Sequence, residues 1–292
     1  MTPLRQLRES DIEAVLALYQ RAFADERPID AAEIQSWLRN PEINRENLRV
    51  LDENGQVAGY GDIWIGETDV ELEAAAPDHW GVFLEWAEET ARIHAASRVR
   101  VPEYARESGL AAAAAARGYR LWRSAFTMRI DFEEALPAPG ALPSGISLDT
   151  FRDEDAEQLR LALNEVFAHD PFFHEVSPEQ FREFHLGHRG FDPSLWLLAR
   201  SSAGIAGFVL AFPERVGDRT LGHITSLGVR ERLRRHGLGR ALLRHALQSL
   251  RARGLRAATL GVDGSNESGA VRLYERAGMR VAGQIDNWAL DL

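Results

Sequence analysis

A chain of 292 residues with 45% hydrophobic content can bury one or two sizeable cores, and the usual size of a compact domain favours two. The net charge of -10 excludes a uniformly attractive field for nucleic acid, so an anionic ligand needs a local cation cluster; Arg230, Arg232, Arg234, Arg235 and Arg240 form one. Neither cysteine nor lysine occurs, which removes disulfides, thiolate nucleophiles, Cys-ligated zinc, Schiff-base chemistry and the phosphate-binding lysine of a P-loop.

No run approaches the ~18–20 consecutive apolar residues of a membrane span. The N-terminus passes straight into an amphipathic pattern without a signal-peptide core. These features predict a cytoplasmic protein with neither a membrane nor a nucleic-acid partner, a monomer or a homodimer.

In chain order, the first half opens as strand then helix. Arg8-Glu-Ser-Asp11-Ile-Glu13 leads into apolar positions Ile12, Val15, Tyr19 and Phe23, three or four apart as an amphipathic helix requires. A hairpin follows, turning at Asn54-Gly55 between Leu48-Arg-Val-Leu51 and Val57-Ala-Gly-Tyr60. Glu107-Ser108-Gly109 and Gly118 then precede a last strand ending at Arg129-Ile-Asp131.

These features recur. Arg152-Asp-Glu-Asp155-Ala-Glu157 leads into Leu159, Leu163, Val166 and Phe167; a hairpin turns at Ala203-Gly204; Glu267-Ser268-Gly269 and Gly278 precede a last strand ending at Ala289-Leu-Asp291. Between the copies, residues 133–145 hold Pro137, Pro139 and Pro143, which stiffen the chain and deny it helix or strand pairing. The sequence therefore predicts two tandem domains, 1–132 and 146–292, joined by 133–145. The second copy carries 12 extra residues between its hairpin and its last helix.

That interval holds the chemistry. His223-Ile-Thr-Ser-Leu227-Gly228-Val229 reads as a buried strand feeding Arg234-Arg-His-Gly237-Leu-Gly239-Arg240, which opens a helix with Leu238, Leu242, Ala246 and Leu250 on one face. A helix start exposes unpaired backbone N–H groups at its positive end, and glycine lets a pyrophosphate reach them. Alone, two nearby glycines fit a structural turn as well as a binding site. A second strand, Ala258-Thr-Leu-Gly-Val262, leads through Asp263-Gly-Ser-Asn266 to a short helix with Val271, Leu273, Tyr274 and Ala277, closed by Gly278.

Arg234-x-x-Gly237-x-Gly239 after the strand, followed by Asn266 and Leu273-Tyr274-x-x-x-Gly278, resembles the acetyl-CoA core of the GNAT acetyltransferase superfamily. The motif covers about residues 222–281, and the tandem layout is similar to that of the mycothiol synthases. The resemblance implies an α/β (α+β) fold of two GNAT-like domains, each a mixed, splayed central sheet flanked by helices. It implies acetyl-CoA as cosubstrate, with pantetheine between the strands around Leu227, Gly228, Val229 and Val262. Backbone N–H groups of Arg235, His236, Gly237, Leu238, Gly239 and Arg240 would hold the pyrophosphate, and Asn266 the pantetheine arm. The first half departs from the pattern: Ala74 to Gly81 has no paired glycines, Arg106 stands opposite Asn266 and Ala114 opposite Tyr274, so that half is expected to be structural.

Acyl transfer from a thioester to a primary amine needs a neutral amine, a place for the oxyanion and a proton for the departing thiolate. The resemblance makes Tyr274 the proton donor; the alternative is a packed helix aromatic. Backbone N–H groups near 227–229 would hold the oxyanion, helped by a bulge at Gly228. His223 stands where the mycothiol synthases carry a glutamate and is a candidate base, against the alternatives of an ordinary strand histidine or solvent. His169, His174, His185 and His188 show no third ligand at characteristic spacing, so no metal is expected, and they fit the wall or lid of an acceptor pocket. Trp80, Trp122, Trp196 and Trp288 read as core aromatics. The sequence predicts an N-acetyltransferase for a small-molecule amine; its rivals are a non-catalytic acyl-CoA sensor and, against the missing lysine, a nucleotide-phosphate enzyme.

Overall fold

The computed structural model describes residues 4–23, 29–40, 43–104, 109–133, 136–170, 173–188, 190–214, 218–265 and 269–292. Asn266 and Arg106 lie outside them. The chain forms two compact units that interleave along the sequence: residues 1–126, 263–265 and 283–292, and residues 127–262 and 266–282.

The first unit runs β1 (Leu4–Gln6), α1 (Ile12–Phe23), α2 (Ala31–Arg39), β2 (Leu48–Glu53), β3 (Gln56–Ile65), β4 (Asp69–Ala75), α3 (Trp80–Ile93), β5 (Arg98–Glu103), α4 (Leu110–Ala116) and the start of β6 (Arg120–Asp131). Asp11, 5% exposed, closes the turn before α1 by accepting the Arg8 N–H at 2.8 Å and an Arg5 N–H at 2.7 Å. The apolar face of α1 is then buried at Ile12, Val15, Leu18, Tyr19 and Phe23. Asn54 and Gly55 take φ of 56° and 85°, the left-handed pair that a two-residue hairpin turn needs. Strands β1 to β4 pair antiparallel, and β4 with β5 parallel. Trp122 is half-buried, with the guanidinium groups of Arg98, Arg100 and Arg123 5.3–5.5 Å from its ring centre, so its surroundings are cationic as well as apolar.

The second unit takes the end of β6 and continues with β7 (Ser147–Thr150), α5 (Ala156–Phe167), α6 (Pro178–Gln180) running into a π-helical turn at Phe181–Leu186, β8 (Leu197–Ser201), β9 (Gly204–Phe212), β10 (Leu221–Val229), α7 (Leu238–Ala252), β11 (Ala257–Asp263) and α8 (Ala270–Glu275). Asp155 repeats the role of Asp11, accepting the Arg152 N–H at 2.9 Å and an Arg200 N–H at 2.7 Å. Here the hairpin turn is Ser202–Ala203, one residue earlier than the sequence suggests, and Gly204 opens β9 at φ 103°. On α7, Leu238, Leu242, Ala246 and Leu250 are all buried.

The last strand, β12 (Arg280–Asp291), pairs antiparallel with β5 of the first unit through residues 286–291. Residues 127–131 of β6 belong to the second unit, where β6 neighbours β11. Each unit thus takes its terminal strand from the other repeat, which the local pattern of either strand does not encode. No helix among the described residues is long and apolar enough to cross a membrane.

Candidate active site

Parallel strands β10 and β11 begin paired, Leu221 with Ala257, Gly222 with Ala258, His223 with Thr259 and Ile224 with Leu260. Among the described residues no further pair joins them, although β10 continues to Val229 and β11 to Asp263. The strands part where the β9–β10 register slips between Ile224 and Ser226. Thr225 is the extra residue and is exposed; such a bulge bends its strand and increases its twist. From residue 225 to 229 the edge of β10 has no pairing with β11 among the described residues, which leaves a cleft between the two strands.

The expected bulge at Gly228 is absent. Gly228 pairs in regular register with Phe208, and a Cβ there would stand 2.5 Å from Phe208 Cζ and 2.9 Å from Val166 Cγ1. The glycine lets α5 and Phe208 pack onto β10. Gly228→Ala should therefore lower the unfolding free energy by about 1–3 kcal/mol in a urea titration, as overpacking does; unchanged stability would contradict this packing.

After β10 the chain turns into α7 through two left-handed residues, Arg235 at φ 64° and Gly237 at φ 84°. For arginine this conformation costs about 1–2 kcal/mol, and alternation of this kind gathers successive N–H groups into an anion-binding concavity. Gly237 caps α7 without any side-chain hydrogen bond, and the first turn holds no acidic residue. Among the described residues, neither the cap nor the first turn supplies a side chain that neutralises the helix start. Arg234 Nε donates to the Val229 carbonyl at 2.9 Å and His236 Nδ1 to the Arg234 carbonyl at 2.7 Å, which fixes the loop. Arg235, His236 and Arg240 are exposed, whereas the Leu238 side chain is 2% exposed in the core, so Leu238 offers only its backbone.

A Cβ on Gly239 would lie 3.6 Å from both Leu273 Cδ2 and Val229 Cγ2. The first turn of α7, the end of β10 and α8 therefore converge. On α8, capped by Gly269 at φ 80°, Tyr274 is 7% exposed, and burial pushes its phenol up to about 12. It holds its proton at neutral pH.

His223 is half-buried, with Nδ1 3.1 Å from Thr259 Oγ1. Its β9 register partner is Phe212, whose ring centre lies 4.2 Å from that of His188. His185, on the π-helical turn, stacks on Phe181 at 4.9 Å, and burial first, then His188, lowers its affinity for a proton. No group of three His, Asp or Glu side chains that could hold a metal occurs among the described residues. A cavity of about 200 Å³ lies at the opposite ends of these strands, where Leu221 and Ala257 begin them and Arg129, Asp131, Asp218 and Arg256 line it; it is remote from the cleft.

The first unit repeats the parting of the strands but buries the end of its β4. Strands β4 and β5 pair only through Asp69–Arg98, Val70–Val99 and Glu71–Arg100. Pairing of Trp64 with Glu71 matches that of Phe212 with His223, so Glu71 stands where His223 does, and it meets Arg100 at 3.0 Å. Beyond that point Leu72, Ala74, Ala75 and Ala76 are at most 2% exposed, and Trp80, opening α3, is 4% exposed in the core cluster that holds Leu72, Ala74 and Ala76. In β10, Ser226, Leu227 and Val229 are half-buried and Thr225 exposed.

Sequence reasoning named Tyr274, His223 and the 234–240 turn as candidates; the Thr259 contact, the Thr225 bulge and the left-handed Arg235 escaped it, since each depends on strand register or loop geometry. Asn266 falls outside the described residues.

Residues 159–279 match the family model described as Acetyltransferase (GNAT) family. The chain is 33% identical over 251 residues to a mycothiol acetyltransferase of Beutenbergia cavernae, covering 82% of each. A crystal structure of a GCN5-related N-acetyltransferase from Sphaerobacter thermophilus superposes with a TM-score of 0.75 at 28% identity, over 99% of this chain and 95% of that one. A tandem GNAT protein from the clavulanic acid biosynthesis pathway has a TM-score of 0.69 at 20% identity, over 99% and 98%.

Proposed function

Because the chain belongs to the GNAT acetyltransferase family, we propose that its second unit binds acetyl-CoA between β10 and β11 and transfers the acetyl group directly to a primary amine of a small-molecule acceptor, in a ternary complex. The observation that carries this reading is the parting of β10 from β11 beside an uncapped, glycine-lined start of α7.

In this reading the N–H groups of Arg235, His236, Gly237, Leu238, Gly239 and Arg240 hold the pyrophosphate, and Arg234 braces the loop through Val229. The freed β10 edge at Leu227, Gly228 and Val229 aligns the pantetheine and offers N–H groups to the oxyanion formed when the amine nitrogen attacks the thioester carbon. Carbon–sulfur cleavage then follows: Tyr274 gives its phenol proton to the thiolate, the nitrogen gives up its proton to His223 or to solvent, and a proton returned to the phenolate restores Tyr274, leaving an amide and free CoA. His223 is the candidate base for the acceptor amine, with solvent as the alternative. Asn266 keeps the pantetheine role that the family motif gives it. The enzyme is taken to work in the cytoplasm as a monomer or homodimer, without a metal.

The first domain is structural in this account, because the end of β4 and Trp80 are buried in its core where the matching stretch of β10 is only half-buried. Calorimetric titration of the full chain with acetyl-CoA should give one site per chain. A stoichiometry of two would contradict the closed cleft, and no binding at all would contradict the function proposed.

A further inference from the structure

We infer that the cavity where β10 and β11 begin is a binding site for a small zwitterion of the α-amino-acid class, separate from the acetyl-transfer cleft. The inference does not depend on the acetyl-transfer reading, because none of its residues belongs to that site.

Three chain segments of the second unit build the cavity: the end of β6, the turn before β10 and the turn before β11. Backbone bonds join them in series. The Phe132 N–H donates to the Arg256 carbonyl at 2.8 Å, and the Arg256 N–H to the Thr220 carbonyl at 2.9 Å. Side chains on these segments are therefore held at fixed stations around about 200 Å³. A water occupies about 30 Å³ of liquid, so the space suits a molecule of roughly six non-hydrogen atoms.

The charges around it divide into satisfied and unsatisfied groups. Asp131 is satisfied: Oδ1 accepts from Arg129 Nε and Nη2 at 2.9 and 2.7 Å, and Oδ2 from Arg280 Nη2 at 2.9 Å. Arg256 is not. Its guanidinium makes one hydrogen bond, from Nη2 to Thr220 Oγ1 at 3.2 Å, and forms no ion pair among the described residues. Glu133 likewise has no side-chain partner among them, and Asp218 accepts only from Thr220, through its N–H at 2.8 Å and its hydroxyl at 2.7 Å. Those two bonds hold the Asp218 carboxyl below the usual carboxylate range, and the charges of Arg256 and Arg129 add to them. One cation and two anions thus line a single cavity without closing on one another.

A ligand that bridges them needs a charge of each sign. Its carboxylate meets the open N–H groups of Arg256, which present a planar fork, and its ammonium lies between Asp218 and Glu133. A simple anion would leave both carboxylates unanswered and place its charge beside them; a simple amine would leave Arg256 so.

Amide NMR of the 15N-labelled full chain at low salt, without acetyl-CoA, tests the inference. Glycine and L-alanine should shift the amides of Thr220, Leu221 and Ala257 saturably in the millimolar range. Acetate and methylamine, which carry the two charges separately, should not do so at the same concentrations. Arg256→Gln should weaken binding at least ~10-fold, as should the double variant Glu133→Gln, Asp218→Asn, since each removes the charge that answers one end of the ligand. No saturable shift with either amino acid would overturn the inference. So would acetate or methylamine matching glycine, unchanged affinity in either variant, or shifts confined to residues 225–229, which would place the amino acid in the cleft instead. Failure of acetyl-CoA to bind would sink the function proposed above and leave this result standing.

Discussion

Gly239→Asp is expected to abolish the thermal stabilisation of this protein by acetyl-CoA while leaving the unliganded melting temperature unchanged or slightly raised. The two halves of that result have opposite electrostatic origins. A carboxylate in the first turn of a helix interacts favourably with the positive end of the macrodipole, by about 0.3–1 kcal/mol at an exposed site. A Cβ at Gly239 meets Leu273 and Val229 only at ordinary contact distance, 3.6 Å, so the backbone has no reason to shift. The same carboxylate stands where the pyrophosphate is proposed to bind, and it both fills that space and repels the ligand. A loss of at least ~100-fold in affinity, equivalent to about 2.7 kcal/mol, should appear by calorimetry. Gly239→Ala, which adds the Cβ alone, should lose far less. Normal affinity in Gly239→Asp would remove the start of α7 from the binding site.

Tyr274→Phe should lower turnover by one to two orders of magnitude with little change in affinity for acetyl-CoA. The hydroxyl is proposed to act on a thiolate that exists only as the carbon–sulfur bond breaks, so its loss acts on the transition state and not on ground-state binding. The aromatic ring, 7% exposed on α8, keeps its packing. With the phenol pushed up to about 12 by burial, the wild type should lose no activity through Tyr274 as pH rises to 10. The sign for stability follows from the same shift. The folded protein holds this proton more tightly than the unfolded chain, whose phenol has an ordinary value near 10. Its contribution is therefore complete below pH 10 and is lost as pH rises through about 12. Tyr274→Phe should flatten that part of the alkaline decline. A variant with wild-type turnover would make Tyr274 a packing residue.

How far the sequence could be read depended on whether the signal was local. Gly237 was legible because its φ of 84° is a conformation that glycine adopts freely, and because Leu238, Leu242, Ala246 and Leu250 follow at helical spacing. Asn54-Gly55 was legible for the same reason. The bulge was not: Thr225 is an ordinary strand residue, and the slip between Ile224 and Ser226 depends on the pairing with β9. Gly228 was expected to permit a bulge; its register is regular, and its packing against Phe208 and Val166 is what leaves no room for a side chain. The unit membership of β6 and β12 was equally hidden, since Arg129-Ile-Asp131 and Ala289-Leu-Asp291 specify strands without naming the sheet they join. The closed cleft of the first unit could be suspected from its missing glycines, while the part of Trp80 emerges only from its place in the core.

The measurement that tests the central claim most directly is amine-dependent release of CoA from acetyl-CoA across a panel of small primary amines, followed with a thiol reagent. The chain contains no cysteine, so every thiol detected belongs to CoA. The account predicts release at a rate proportional to enzyme, dependent on the amine, matched by its acetylated product and lost in Gly239→Asp. Stoichiometric binding of acetyl-CoA with no amine-dependent release across the panel would contradict it, and would identify the second unit as an acyl-CoA-binding module without turnover.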